Sequence, residues 1–545
     1  MSKIAHYLQE HLSGEVIFTE EARKYFSTDG GVFEVMPSII VYPRNENDVR
    51  KTTRFSWQLA ERGRTLPITA RGRGSDQGGA AIGQGIILVF PTHMNKIIEF
   101  DGKSGDVIVE PGLVYSKLQQ TLHTHGRFLP PYPSSIEFST LGGAVANNAS
   151  GEKTIKYGNT RNYVKGLRVV LANGEVIETR RLSKRELNKK MGLSTFEGEI
   201  YRAVDTLIEE NSDAISTIDK EVTKNSAGYA IDNVKLKNGS FDLTPLIVGS
   251  QGTLGVVSEA IISTEPYNPK TTLIVANFSD VQSASEAVLQ MRKMPEIPSA
   301  IEVVDDNLLN FIDGHNPTYL KGIVDKPFPK LILLIELDNQ SERTQSKMSK
   351  KIQKILKKQG AEFVVERDEH AKEELWKIRH SAASVITQTE GNAKALPIVE
   401  DGIVPVDKFS EYLAGVYEIF EKNNLKIAIW GHAGNANLHM QPFLDLSQVG
   451  DRQKVFKIIE DYYSLVISLG GSTSGEHNDG RLRAPYLKKL YGEEVYEVFN
   501  KIKTIFDPHN ILNPGVKMNV TIDDIKPLLR NEYSMDHLYD HLPGR

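Results

Sequence analysis

The sequence contains no cysteine. Within these residues, that excludes a disulfide framework, a thiol nucleophile, a cysteine-ligated iron–sulfur cluster and a cysteinyl link to a cofactor. Any redox chemistry must rest on a bound cofactor and an external electron acceptor. Long hydrophobic runs are missing too: "LILLIEL" at 331–337 has the length of a strand, well short of the ~18–20 residues of a membrane span. Neither sign of charge is in large excess. The net charge of −5 gives no support for nucleic-acid binding. The opening "MSKIAHYLQEHLSGE" lacks a signal-peptide core and carries acidic residues, so a cytoplasmic location is expected, with a peripheral position at a membrane left open.

With 545 residues, 40% hydrophobic and 25% charged, the chain has the composition of an ordinary globular protein of two to four domains. Amphipathic helices are expected over residues 1–35. A strand, a proline turn and a helix capped by Asn45 or Asn47 follow at 36–50. The "NGE" within 170–179 predicts a hairpin turn. From about residue 270 the pattern reads β-α-β-β-α-β, which predicts a ferredoxin-like antiparallel sheet with helices on one face. The fold class is therefore α+β. Six lysines on the second of these helices (Lys347, Lys350, Lys351, Lys354, Lys357 and Lys358) read as a solvated face opposite Met348, Ile352, Ile355 and Leu356.

Four segments suit close approach of the backbone to a ligand: "RGRGSDQGG" (71–79), "PPYPSSIEFSTLGGAVANNASG" (130–151), "YGNTRNYVKG" (157–166) and "GSQGTLGVV" (249–257). Glycine allows unusual dihedrals and lets backbone amides cradle phosphate oxygens. The first segment follows a strand, but it is neither a P-loop nor a Rossmann fingerprint. Together, the four favour one extended ligand.

The stretch "GHAGNANLH" (431–439) sets His432 and His439 seven positions apart. On one straight strand an odd offset sends the two rings to opposite faces. Gly434, Asn435 and Asn437 disfavour a helix. A turn with one histidine on each arm brings both to one point. Glu476 and His477 in "SGEHNDG" are candidates to join them. Two imidazoles and a carboxylate suit zinc or manganese with an open position; the alternative is that these residues only hydrogen-bond to shape a pocket. His477 is a candidate general base. Arg379 in "LWKIRHS" is a candidate for binding a substrate carboxylate bidentately, the alternative being an ion pair with Glu373 or Glu374.

The ordered segments "PRNENDV", "PITARGRG", "VEPG", "PPYPSS", "TLGGAVANNASG", "YGNTRNYVKGL" and "GSQGTLGV" resemble the FAD-binding domain of the PCMH-type (vanillyl-alcohol oxidase) flavoproteins. "LWKIRHS", "GHAGNANLH", "SGEHNDG" and "FDPHNILNPG" resemble the C-terminal domain of the D-lactate and D-2-hydroxyacid dehydrogenase branch, which includes glycolate oxidase-like proteins. The resemblance spans about residues 36–518. It implies N-terminal helices at 1–35, a two-subdomain FAD-binding domain at 36–268, a substrate (cap) domain at 269–480, a C-terminal helix and loop returning to the FAD domain at 481–518, and a tail at 519–545. It implies that the first loop (Arg71, Gly72, Arg73, Gly74, Ser75, Asp76 and Gln77) wraps the pyrophosphate. Pro133, Ser134, Ser139, Thr140, Gly143, Asn147 and Asn148 then line the ADP and isoalloxazine, and Gln251, Gly252 and Val257 close the adenine side.

Many relatives carry a histidine in the first loop that bonds the flavin covalently. Ser75 and Asp76 stand there in this chain, so non-covalent FAD is expected. The resemblance also implies His432, His439 and Glu476 as metal ligands. It implies oxidation of a D-2-hydroxyacid by hydride transfer to the flavin, with D-lactate the best single substrate; the lack of cysteine and of a Rossmann fingerprint makes a quinone or a separate iron–sulfur protein the expected acceptor. In the hydroxyglutarate type a lysine before "PV" binds a distal carboxylate. Here Val399, Glu400 and Asp401 occupy that region, which argues against a second carboxylate on the substrate. The "SGEHNDGRLR…FDPHNILNPG" end looks most like longer members carrying an iron–sulfur domain, and that module is expected to be absent. A homodimer is compatible with the sequence. The alternatives are an alkyl-dihydroxyacetone-phosphate synthase-like transferase and a non-catalytic flavin-binding component of a larger complex.

Overall fold

The computed structural model describes residues 2–380, 382, 389–390 and 392–535. Three main sheets organise them. The first holds four strands in the order Glu15–Ile17, Ile39–Tyr42, Ile86–Val89 and Ile68–Arg71; the last three run parallel and the first joins antiparallel. "IIVY" and "IILV" are apolar and buried almost throughout, as parallel strands covered on both faces must be. Helix Glu46–Glu61 begins where expected, with the Asn45 side chain accepting the Asp48 N–H. Residues 1–35 are not helices alone. Glu15–Ile17 completes this sheet against Tyr42, Val41 and Ile40. Gly14 makes the approach feasible, since a Cβ there would lie 1.9 Å from the Tyr42 carbonyl oxygen.

The second sheet is antiparallel, in the order Ile97–Phe100, Val107–Val109, Val256–Ile262, Val164–Val170 and Val176–Arg180. The expected hairpin joins the last two, with Gly174 at φ 84° in the turn. Helices Phe196–Glu210 and Leu487–Phe506 share its core through Val204, Leu207, Val498 and Phe499. The C-terminal helix thus returns to this half of the molecule.

The third sheet contains the expected ferredoxin-like unit. Its order is Glu362–Glu366, Thr272–Phe278, Leu331–Leu337, Ala300–Asp305, Ile429–His432 and Asn437–Met440. The final two strands are a hairpin added beside Ala300–Asp305, with Val303 opposite Gly431 and Val304 opposite Trp430. The expectation of helices on one face is corrected. Helices Val281–Arg292 and Glu342–Lys358 cover one face, and Asp306–His315 and Glu369–His380 cover the other. Alternate strand residues prove the point: Ile274 and Ala276 join the first core, Leu273 and Val275 the second. This two-sided burial is why "LILLIEL" carries no polar alternation. The six lysines of helix Glu342–Lys358 are all exposed. Residues 519–535, expected as a tail, are packed: Arg530 Nε donates to the Phe33 carbonyl at 3.0 Å and the Tyr533 hydroxyl to the Gly30 carbonyl at 2.9 Å. Residues 536–545 lie outside the described residues.

Ile335 is fully buried in the central strand of the third sheet. Ile335→Ala is expected to cost about 2–5 kcal/mol of cap stability, and Lys354→Ala under ~0.5 kcal/mol. Denaturant midpoints of the two variants check this; equal losses would show that the lysine face is not simply solvated.

Candidate active site

Three of the four glycine-rich segments meet around one cavity between the first two sheets and the cap, and "YGNTRNYVKG" (157–166), expected to join them, contributes none of its lining. All the candidate cofactor residues line it except Asn148. In the first loop, the Arg71 guanidinium turns away from the cavity and donates to the carbonyls of Thr28 (2.8 Å) and Ala81 (3.1 Å). It braces the loop from behind. Gly74 sits at φ 74°, and a Cβ there would lie 2.2 Å from that guanidinium. Asp76 is spent on structure as well: Oδ2 accepts the N–H groups of Gly78 (3.0 Å) and Ala80 (2.8 Å), and Oδ1 accepts Asn147 Nδ2 at 2.9 Å. Gln251 Nε2 donates to Asn147 Oδ1 at 3.0 Å, and Gln251 Oε1 accepts the Gly480 N–H at 2.8 Å. One chain of side-chain hydrogen bonds therefore ties three glycine-rich segments to the "SGEHNDG" loop.

Asn148, expected to line the cofactor site, does not line the cavity. It ends helix Leu141–Asn147 at φ 51°, is fully buried, and accepts the Arg161 N–H at 2.9 Å. A short polar side chain that tolerates left-handed φ explains the residue without a ligand.

Two buried acceptors on the cavity wall, Gln77 Oε1 and Gln441 Oε1, have no hydrogen-bond partner among the described residues. Buried polar atoms are normally paired. An extended ligand with hydroxyl and amide donors, as FAD is, fits this wall.

The cap hairpin resolves the spacing of the two histidines. Strand Ile429–His432 ends in a tight turn with Ala436 at φ 52°, and the chain returns along Asn437–Met440. His432 pairs with Asn437 and Trp430 with His439, so both rings stand on the same face of the hairpin. Both Nε2 atoms lie 3.1 Å from Glu476 Oε1. The other ring nitrogens are held by buried carboxylates: His432 Nδ1 lies 2.7 Å from Glu302 Oε1 and His439 Nδ1 lies 3.3 Å from Glu400 Oε2. His477 Nδ1 lies 2.7 Å from Glu400 Oε1, which also pairs with the buried Arg483. His477 Nε2 lies 3.8 Å from Glu476 Oε1. The His477 side chain is 27% exposed, against 5% for His432 and 9% for His439, which makes it the most open of the three to a ligand. Glu400, His439, Glu476 and His477 line the cavity wall, and His432 lies behind it.

Burial opposes charge on these imidazoles, but the neighbouring carboxylates outweigh it. The pKa values of His432, His439 and His477 are raised, chiefly by Glu302 and Glu476, by Glu400 and Glu476, and by Glu400 and Asp401 respectively. Burial likewise opposes charge on Glu476, yet Lys224 and His432 hold it well below the usual carboxylate range. Asp401, His439, Glu476 and His477 offer ligand atoms within 4.8 Å of one another. The Asp401 oxygens, however, already accept the N–H groups of Glu476 and His477 and the Ser474 hydroxyl. Two imidazoles with carboxylate-fixed tautomers and one shared carboxylate oxygen are the better donor set for a divalent cation.

Arg379 does not line the cavity, and its partner is neither Glu373 nor Glu374. Its Nε donates to Glu302 Oε2 at 2.7 Å, while Glu374 pairs with Lys377. Arg379 therefore joins the site through Glu302, which it shares with His432. Sequence reasoning missed Glu302, Lys224, Ser150 and Arg483. A carboxylate inside the buried run "AIEVVD" was a signal for Glu302. Glu400, read only as an argument against a diacid, braces two histidines.

Models of two families match the chain: the FAD binding domain over residues 37–180 and the C-terminal domain of FAD linked oxidases over residues 268–516. Glycolate oxidase subunit GlcD of Bacillus subtilis (strain 168) is 30% identical over 485 residues, covering 89% of each chain. The chain belongs to the PCMH-type family of FAD-linked oxidases. This family member is also 30% identical over 526 residues to D-2-hydroxyglutarate dehydrogenase of Escherichia coli (strain K12), covering 93% of this chain and 50% of that one. The chain thus spans about half the length of that relative. D-lactate dehydrogenase of Archaeoglobus fulgidus is 27% identical over 479 residues, 88% of this chain and 90% of that one. Among solved structures, 4-ethylphenol oxidase from Gulosibacter chungangensis aligns over 96% of this chain and 98% of that one, with TM-score 0.67 and 16% identity. Alkyldihydroxyacetonephosphate synthase aligns over 94% and 84%, with TM-score 0.63 and 17% identity. These two structures share the fold.

The purified protein is expected to be yellow, and acid precipitation should release its FAD into the supernatant. Gly74→Ala, which strains a left-handed φ and pushes on the Arg71 guanidinium, should lower flavin per polypeptide. Flavin remaining on the precipitated chain would disprove a non-covalent site.

Proposed function

We propose that this protein oxidises a D-2-hydroxyacid, with D-lactate the best single candidate, and passes the electrons to a quinone or a separate acceptor protein. The observation that carries the proposal is the convergence of His432 Nε2 and His439 Nε2 on Glu476 Oε1, next to the flavin cavity. FAD supplies the two-electron acceptor, and zinc or manganese held by His432, His439 and Glu476 supplies a Lewis acid for the substrate's hydroxyl. The protein does the rest. Glu302 and Glu400 fix the histidine tautomers so that both Nε2 lone pairs face the same point. His477, oriented by Glu400 through Nδ1, takes the hydroxyl proton on Nε2. Arg379 spends Nε on Glu302, and although it does not line the cavity, we propose that its terminal NH2 groups reach the substrate carboxylate beside His432.

Reduction of the bound flavin by a panel of D- and L-2-hydroxyacids under anaerobic conditions tests this reading. Bleaching by a D-hydroxyacid is expected; no bleaching by any member would defeat the proposal. Complete chelation should abolish that reduction, and zinc or manganese should restore it. Arg379→Lys should raise KM and lower turnover by roughly tenfold or more, the scale of a charge-assisted hydrogen bond. Unchanged kinetic constants would remove Arg379 from substrate binding.

A further inference from the structure

The segment Thr223–Gly228 belongs to the flavin-binding half, yet it is laced to the cap. Asn435 Nδ2 donates to Thr223 Oγ1 at 2.7 Å, and Ser472 Oγ to Asn225 Oδ1 at 2.8 Å. Ser226 Oγ donates to the Gly475 carbonyl at 3.1 Å, and the Gly228 N–H to Asp479 Oδ2 at 2.8 Å. Each contact reaches the hairpin turn or the loop that carries Glu476. In the middle stands Lys224, whose side chain is only 1% exposed.

The Lys224 ammonium donates to Glu476 Oε2 and lies 3.2 Å from Ser150 Oγ. Ser150 Oγ itself donates to Glu476 Oε2 at 2.8 Å. The two oxygens of one carboxylate are thus divided. Oε2 is taken by two donors from the flavin-binding half, and Oε1 is presented to both cap histidines at 3.1 Å. A buried lysine carries a desolvation penalty that a structural role elsewhere would avoid. Here the charge is set against a group facing the reactive cavity.

We propose that Lys224, assisted by Ser150, is a positioning residue that makes Glu476 a one-oxygen metal donor. By occupying Oε2 it withholds the second donor atom and leaves a coordination position for the substrate. Its positive charge, on the far side of the carboxylate, also weakens the donation of Glu476 and keeps the bound cation electrophilic. Because Lys224 comes from one half of the molecule and the histidines from the other, the donor set is complete only when the cap is docked. This inference rests on the reading of His432, His439 and Glu476 as a divalent-cation site.

The test uses the flavin-loaded full chain, wild type against Lys224→Met and Ser150→Ala. Four quantities are measured: flavin per polypeptide, thermal midpoint, affinity of the chelated protein for Zn2+ and Mn2+ by calorimetry, and kcat and KM with whichever hydroxyacid bleaches the flavin. Lys224→Met is expected to bind the cation about tenfold more tightly, as a like charge is removed and Oε2 keeps only the Ser150 hydroxyl as donor, which frees it in part to join the cation. Its kcat should fall roughly tenfold or more with KM little changed, the range for groups that orient metal ligands. Ser150→Ala should shift both quantities the same way by less. Unchanged kcat and cation affinity in Lys224→Met, or weaker cation binding with flavin content intact, would overturn the role of Lys224 while leaving the metal reading standing. If Lys224→Met fails to fold, Ser150→Ala decides alone, and unchanged cation affinity there overturns the proposal. If the wild-type protein binds neither cation, the metal reading itself fails and this inference falls with it.

Discussion

The structure depends on burying charged carboxylates with their partners in place. Glu302, Glu400, Asp401 and Glu476 are each nearly inaccessible to solvent. An unpaired buried charge costs several kcal/mol, so none of these groups is tolerable without the arginine, lysine, histidine or backbone donors that meet it. Those donors arrive from distant parts of the chain. Arg379 and His432 serve Glu302; Arg483, His439 and His477 serve Glu400; backbone and hydroxyl groups of the 474–477 loop serve Asp401; Lys224 and Ser150 serve Glu476. The cap cannot take its position without assembling the site, because the charges that assemble it would otherwise lie bare.

The same logic extends along the contact between the two halves. Lys153 and Lys156, just after the second glycine-rich segment, pair with Glu336 and Asp338 at the end of the central cap strand. Ser299 adds a hydrogen bond to Glu336 at 2.9 Å. On the cofactor side the links are neutral amides, the Asp76–Asn147–Gln251 chain that ends on the backbone of Gly480. Fixed charges set the cap on the flavin-binding half, and side-chain amides anchored at one end by the Asp76 carboxylate hold the cavity loops to one another. The glycines in the cavity wall let backbone groups approach a ligand closely.

The hairpin His432–His439 shows how local backbone rules become chemistry. A seven-residue offset is odd along one strand, but the return after Ala436 restores the two rings to one face. Gly434 packs tightly at the turn: a Cβ there would lie 2.2 Å from Cδ1 of Ile155, a residue of the flavin-binding half whose side chain would have to shift. The turn is therefore both the geometric device that aligns the histidines and a contact surface between the domains.

Three glycine-rich segments around one cavity, the α+β class, the ferredoxin-like strand order, the Asn45 cap and the turn between the two histidines were all legible in the sequence. Each rests on local rules: glycine at strained or crowded positions, side-chain caps, and hydrophobic periodicity. The strand Glu15–Ile17, the helices on both cap faces and the packed 519–535 segment were not, because a three-residue strand and a docked terminus carry no periodic signal until their partners are present. At the site, His432, His439, Glu476 and His477 could be named from motifs, while the partner of Arg379 and the place of Asn148 could not. Lys224 and Glu302 lie 252 and 77 residues from the groups they bind. Sequence alone determined which residue types were available for the chemistry. Tertiary structure decided which carboxylate each cation meets, because burial forces charges together only where the folded chain brings them within reach.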